Sequence, residues 1–322
     1  MPLSVVPAPS TTMDIPLVFP GDPVLANPVS ASLAAIARTF SPDTVPTLPR
    51  RLSPSSANVF RSCPKRFYLE KVAGYRGPGS VATVTGTLVH RILESLWQLP
   101  VEDRTLDMAR TVLCEVWPGV RDLPETVASL ADDRSYRGDA AILAKARDLL
   151  ECYFTLEDVT GESTIEIPFE GPVSGQELHV QARIGDAEFH GFIDRVQTIT
   201  LPDGRLHRLV VDYKTGKLPR KADYLDDYWF QQLTYAVLLR AQIGVTVAEL
   251  RLVFLTGRVF TRTVTDADLD VHEAEMSEVW DGVQACNRDA RWPGEPTILC
   301  GWCPFKSFCL EFQMSGIPDR NR

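Results

Sequence analysis

The chain has 322 residues, 44% of them hydrophobic and 23% charged, enough apolar material for one large core or two modest ones, which excludes a wholly disordered polypeptide. Its formal net charge of −9 argues at first sight against a polyanionic partner. No apolar run reaches the roughly eighteen residues of a membrane span, and the start MPLSVVPAPSTTMDIP lacks the basic and compact apolar regions of a secretory signal, so a cytoplasmic protein with no membrane contact is expected.

The charge is unevenly spread. From Arg50 to Arg76 seven basic residues face Glu70 alone, a local charge of +6, whereas residues 101–170 hold 16 acids against 7 bases. The acidic stretch equals the whole imbalance, so binding of nucleic acid elsewhere on the chain stays open.

Ten of the 24 prolines fall in the first 50 residues with no sustained period, which predicts a flexible arm over 1–50 in which only Val29 to Phe40 has a short helical pattern. One domain is expected over 51–322. It opens at Leu52-Ser53-Pro54-Ser55, where a Ser cap and Pro at the first helical position predict a helix towards Leu69. After a break at Gly74 to Gly79, Leu88, Ile92, Leu93 and Leu96 recur at helical spacing within Thr85 to Trp97, with His90 off that stripe. Residues 101–160 predict a helical insertion broken near Pro118 and Pro124, in which Cys114 and Cys152 are expected to be buried thiols, as is Cys286 further on.

From Ser163 the period becomes strand-like: STIEIPF, ELHVQARIG, EFHGFIDRVQTIT and, after a turn at Pro202-Asp203-Gly204, HRLVVDYKTG. Tyr228 to Ala241 returns to helical period, and Glu249 to Leu255 is a further strand. This order predicts an α/β fold with a mixed central sheet flanked by helices, closed by a Cys-rich segment at 292–312.

Asp194 in GFIDR and Asp212-Tyr213-Lys214 in VVDYKTGK carry the chemistry. Asp212 and Lys214, at i and i+2 of a strand, face the same side, and Val210 and Val211 before them mark the strand as buried. An isolated Asp-x-Lys is most often an exposed ion pair. At the end of a buried strand it faces a cleft, where two carboxylates suit Mg²⁺ and the lysine can orient a water or stabilise transition-state charge. Gln231 and Tyr235 share one helical face and could meet phosphate or a base.

SPSSANVFRSCPKRFYL, GTLVHRILE, GFIDRV, VVDYKTGK, QQLTYAVLL and CGWCPFKSFC follow one another in this order. The arrangement resembles the RecB-like branch of the PD-(D/E)XK nucleases, which includes recombination helicase–nucleases and CRISPR-associated iron–sulfur exonucleases. The resemblance covers about residues 52–312. It implies a restriction-endonuclease-like core in which Asp194, Asp212 and Lys214 are catalytic. It adds His90 as a further metal ligand beside the Tyr213 carbonyl, and places Gln231 and Tyr235 by the scissile strand. An imidazole ligand would favour Mn²⁺ over an all-oxygen set.

Cys300, Cys303 and Cys309 supply three thiolates, with Cys63 the candidate fourth, a set that on ligand chemistry suits Zn²⁺ and a [4Fe–4S] cluster equally. The resemblance favours the cluster, acting as a clasp between the two ends of the domain. Arg66, Tyr68 and Lys217 are candidate contacts to DNA, as basic side chains among aromatics suit a single strand. The expected activity is a Mg²⁺- or Mn²⁺-dependent exonuclease on single-stranded or free DNA ends, weighed against a structure-specific endonuclease and a non-catalytic end-binding scaffold. No P-loop is present, so duplex unwinding would need a partner helicase, and recombination or CRISPR proteins are the partner classes that the resemblance implies.

Overall fold

A computed structural model describes residues 47–167 and 171–320. Most of the expected arm, including Val29 to Phe40, lies outside the described residues. Strand β1 (Arg51–Leu52) leads into α1 (Pro54–Ser62), which Ser53 caps by accepting the Ser56 N–H. The expected single helix towards Leu69 is broken at Cys63. Pro64 forces the residue before it out of helical geometry, and Cys63 is accordingly extended, with φ −167° and ψ 103°. A four-residue helix α2 (Pro64–Phe67) and a wide turn, Tyr68–Val72, follow.

Next come α3 (Val81–Trp97), α4 (Leu106–Arg121), α5 (Pro124–Asp132) and α6 (Asp139–Leu156). Ser80 caps α3 by accepting the Thr83 N–H, so this helix starts a turn before the expected Thr85. Pro118 does not break α4 but sits in its last turns, where burial of Leu113, Trp117 and Val120 outweighs the lost hydrogen bond. Cys114 is exposed, off the buried stripe of α4, contrary to expectation, and Cys152 and Cys286 are only half-buried.

The strands are β2 (Thr164–Ile167), β3 (Gly171–Ser174), β4 (Gln176–Ile184), β5 (Ala187–Thr200), β6 (Leu206–Lys214), β7 (Glu249–Phe254) and β8 (Arg258–Thr263), with α7 (Asp226–Ile243) after β6, α8 (Asp266–Arg288) after β8 and α9 (Leu310–Met314) near the end. Strands β2 and β3 form a separate hairpin. In the main sheet β5 pairs with β1 in parallel and with β4 and β6 antiparallel, and β6 continues to β7 in parallel and then to β8. The sheet is mixed, as expected, and β8 and the long α8 extend it beyond the elements read from the sequence.

Two apolar layers cover the sheet. On one face Phe189, Ile193, Val196, Val210 and Leu250 pack with Phe230 to Leu239 of α7 and with α8. On the other, Leu209, Val211, Tyr213, Val253 and Leu255 pack under α3, α4 and α6. The helices of 101–160 are therefore no appendage; they bury one side of β6 and β7.

Candidate active site

Strands β5 and β6 pair only from Thr200↔Leu206 to Arg195↔Val211, and the last residues of β6 pair with β7 alone. The sheet forks there. Phe189 and Ile193 enter the α7 core as odd-numbered residues, then Val196 does so as an even one, while Arg195 turns under Trp97 with its guanidinium 4.0 Å from the indole. The inside–outside alternation slips at Asp194, which places its carboxylate in the fork. Its Oδ2 accepts the Tyr213 N–H at 2.7 Å, closing the edge that β5 no longer pairs. Tyr213 also reaches the site through this N–H, on the residue whose carbonyl is expected as a ligand. Its ring is buried on the far side against Tyr153.

Asp212 and Lys214 share one face, as the strand period requires, with Asp212 Oδ2 2.6 Å from Lys214 Nζ. Lys214 Nζ donates onward to Gln231 Oε1 at 3.2 Å, and Gln231 Nε2 donates to the Tyr235 hydroxyl at 3.1 Å, so the i and i+4 pair on α7 forms one chain with the lysine. Gly191 makes room for it: a Cβ there would come within 2.6 Å of the Tyr235 ring.

From the opposite layer, His90 of α3 brings Nδ1 to 3.3 Å from Asp194 Oδ1. Gly86, one turn earlier on the same face, lets α3 close on Thr215, whose Oγ1 would stand 3.2 Å from a Cβ at that position. Beneath the fork, Arg195 pairs with the buried Glu157 and reaches Gln197 Oε1 at 2.9 Å, fixing the strand from which Asp194 projects.

Burial drives the Asp212 carboxyl up to about 6, with Lys214 opposing and Asp194 reinforcing the rise. Burial also opposes charge on His90, but the neighbouring Asp194 outweighs it and holds the imidazole at about 9. For Asp194 burial works upward, yet His90 and the Tyr213 N–H bring it below the usual carboxylate range. Lys214 loses to burial and gains more from Asp212, so it stays charged.

Sequence reasoning missed Glu177. Its carboxylate oxygen, that of Asp194 and a ring nitrogen of His90 lie within 4.8 Å of one another, the one such group of three among the described residues. Glu177 has φ +45°, rare for a side-chain-bearing residue, and burial beside Asp194 and Glu94 pushes its carboxyl up to about 7. The tight turn at Gly185-Asp186 pairs Ile184 with Ala187, and counting back along that register brings Glu177 opposite Asp194, a signal the sequence did contain.

The donor set fits a divalent cation. It offers hard oxygens and one imbalanced buried atom, since beyond its ion pair Asp212 Oδ2 finds no hydrogen-bond donor.

The candidate cysteines gather at the other end of α1. Cys63 Sγ accepts the Arg66 N–H at 3.4 Å and Cys300 Sγ accepts the Thr297 N–H at 3.3 Å, while Cys309 Sγ donates to Glu311 at 3.4 Å. Cys63 and Cys300 act electrostatically on Cys303. No three of the sulfurs close to the 4.8 Å of the acidic group. Lys65 pairs with Glu311, and Gly301 is pressed against the Pro318 carbonyl, 2.6 Å from where its Cβ would be. Arg66 and Tyr68 belong to this region, the first bound to Glu70 at 2.7 Å and the second packed on Trp292, whereas Lys217 is exposed after β6.

A family model described as the PD-(D/E)XK nuclease superfamily matches residues 51–310, from β1 to the start of α9. The chain belongs to the PD-(D/E)XK nuclease superfamily. Among solved structures, a protein from Eubacterium rectale that carries a provisional exonuclease designation aligns at 14% identity and TM-score 0.39, covering 78% of this chain and 92% of its own. One designated SSO0001 aligns at 16% identity and TM-score 0.30, covering 71% and 96%. No curated protein matches. For this PD-(D/E)XK chain no helix among the described residues is long and apolar enough to cross a membrane.

Proposed function

We propose that this PD-(D/E)XK protein is a RecB-like, Mg²⁺- or Mn²⁺-dependent deoxyribonuclease that degrades single-stranded DNA from free ends. The observation that supports it most is the fork itself, where Asp194, Asp212 and Lys214 converge with His90 from one helical layer and Gln231 and Tyr235 from the other. Asp194, Asp212 and His90 would hold the cation, with Glu177 adjacent. Such an ion polarises a phosphoryl oxygen and lowers the pKa of water. Lys214, held charged by Asp212 and aimed by Gln231, stabilises the charge that grows on the phosphate. The Tyr235 hydroxyl fixes the Gln231 amide, so Lys214 meets substrate in one orientation.

Cys63, Cys300, Cys303 and Cys309 are the proposed ligands of a [4Fe–4S] cluster, with Zn²⁺ the second choice. Backbone N–H groups aimed at two of the sulfurs suit thiolates. Burial pushes the Cys63 and Cys303 thiols up and Cys309 to about 11, so without a cation they are neutral. The test is anaerobic purification with iron and zinc analysis, followed by digestion of end-labelled linear and covalently closed circular single strands with Mg²⁺ or Mn²⁺. Metal-dependent loss of linear DNA alone is the expected result. Cleavage of circles makes it an endonuclease, and inert protein with bound cations refutes the catalytic reading.

A further inference from the structure

We infer that the part of the sheet beside the fork that no described helix covers is a stacking platform for a nucleobase of the bound strand, with Phe192 as its floor. The inference rests on the nuclease reading above and adds to it where a base of the substrate lies.

The register places the platform. Antiparallel β4 and β5 pair Leu178 with Ile193, His179 with Phe192 and Gln181 with His190, so the step that sets Glu177 against Asp194 is followed, two residues along, by His179 against Phe192. Neighbours on one face of a strand are about 6.6 Å apart, within one nucleotide's reach of the carboxylate. Phe189 and Ile193 point into the α7 core, which sends Phe192 and His190 to the opposite face. Among the described residues, the apolar cluster under α3, α4 and α6 takes in β6 and β7 but no residue of β4, which α3 approaches at Glu177 beside His90. Phe192 is consequently 53% exposed although it sits mid-strand next to the fork.

The ring is neither isolated nor in apolar company. His179 lies over it with centroids 4.8 Å apart and planes at 36°, and His190 stands 6.2 Å from His179. Arg51 reaches across from β1 to Gln181 Oε1 at 3.0 Å and lies 3.9 Å from the Glu188 carboxylate, so this part of the surface is polar. A protein partner would need a contiguous apolar patch, and the neighbours of Phe192 on this face are histidines, glutamine and an arginine paired with Glu188. A base matches both features, since its flat face stacks on a ring and its rim meets polar side chains. Continuity with the fork favours the strand being cut over any separate ligand.

The test uses the full chain carrying Asp212→Asn to block turnover, with a fluorescein-labelled single-stranded oligonucleotide as probe. Phe192→Ala should weaken binding roughly 5- to 150-fold, the range for losing one stacked base, and Phe192→Trp should restore it. An abasic site walked along the probe should reproduce that loss at one position, and at that position the two losses should not add. Binding by Phe192→Ala within twofold of the parent, or fully additive losses, would overturn the platform. So would a Phe192→Cys thiol that, in DNA-free full chain, resists a maleimide mapped by peptide mass, because the face would then be covered by protein. If the unsubstituted chain cleaves DNA while Phe192→Ala binds normally, only the platform fails; if it does not cleave, the nuclease reading fails first.

Discussion

The fork and the cysteine region both assemble residues from distant parts of the chain, but by different physical means. At the fork strand register sets Asp194, Asp212 and Lys214, and the groups collected there are charges held out of water: Asp212 and Lys214 are 4% and 18% exposed. In the cysteine region short turns replace the sheet, and Leu69, Ala73, Tyr75 and Phe305 make only a small apolar cluster with Cys303. On the proposed reading, chemistry is built where the sheet holds the groups in register, and the cysteine clasp supplies order where the apolar cluster is small.

This contrast is broken most severely at the cysteines. Substituting Cys63, Cys300, Cys303 or Cys309 with Ser should give colourless, aggregation-prone protein, as so small an apolar cluster cannot order the C-terminal segment alone. Cys114→Ser should leave absorbance near ~400 nm and solubility as they were. Equal colour in all variants would refute the clasp.

The fork should answer in the opposite sense. Asp212→Asn or Lys214→Ala should lower cleavage by ~10²-fold or more, since each removes charge aimed at the transition state. Asp212→Asn should not lower the Tm of metal-free protein, because burial already penalises the ionised carboxylate there. A variant that both cleaves normally and melts early would assign Asp212 to the structure rather than to the reaction.

Much of this was legible in the sequence wherever period or spacing expresses geometry. The i and i+2 spacing put Asp212 and Lys214 together, and i and i+4 put Gln231 beside Tyr235. Three features were hidden. The slip in β5 at Asp194 depends on which core Val196 enters, a tertiary outcome. The long helix α8 has apolar positions spread among many charges, so its period is faint, though its capping box at Thr265 and Asp268 is complete. The intramolecular partners of Arg66 and Tyr68, Glu70 and Trp292, were not legible either, because local basic and aromatic composition does not say what already faces each side chain.

Glu177 sharpens the comparison within the fork. If it lies at the edge of the cation site, Glu177→Gln should weaken Mn²⁺ binding about 10-fold, as removing an outer partner of a metal site does, while leaving the fold intact. Isothermal titration with Mn²⁺ alone, without DNA, reads this directly. Unchanged affinity would leave Glu177 as a neighbour of the site with no part in it.

The smallest effect is the pH dependence of stability in the metal-free protein. Asp212, Glu177 and His90 are all raised, to about 6, 7 and 9. A group whose pKa is raised by folding gives stability that is full below its unfolded value and is lost as the pH climbs through the folded one. All three therefore push the same way between about pH 4 and 9, and the metal-free protein should lose Tm across that window. Asp194 is lowered, so its contribution disappears only on acidification below the ordinary carboxylate range and does not cancel the trend. Mn²⁺ competes with these protons, because it prefers the carboxylates ionised and the imidazole neutral. The Tm difference between metal-loaded and metal-free protein should then be wider above about pH 7 than below about pH 5. Asp212→Asn removes one of the three groups and should flatten the metal-free slope in its lower half. A Tm difference independent of pH would mean that these three groups do not share the cation.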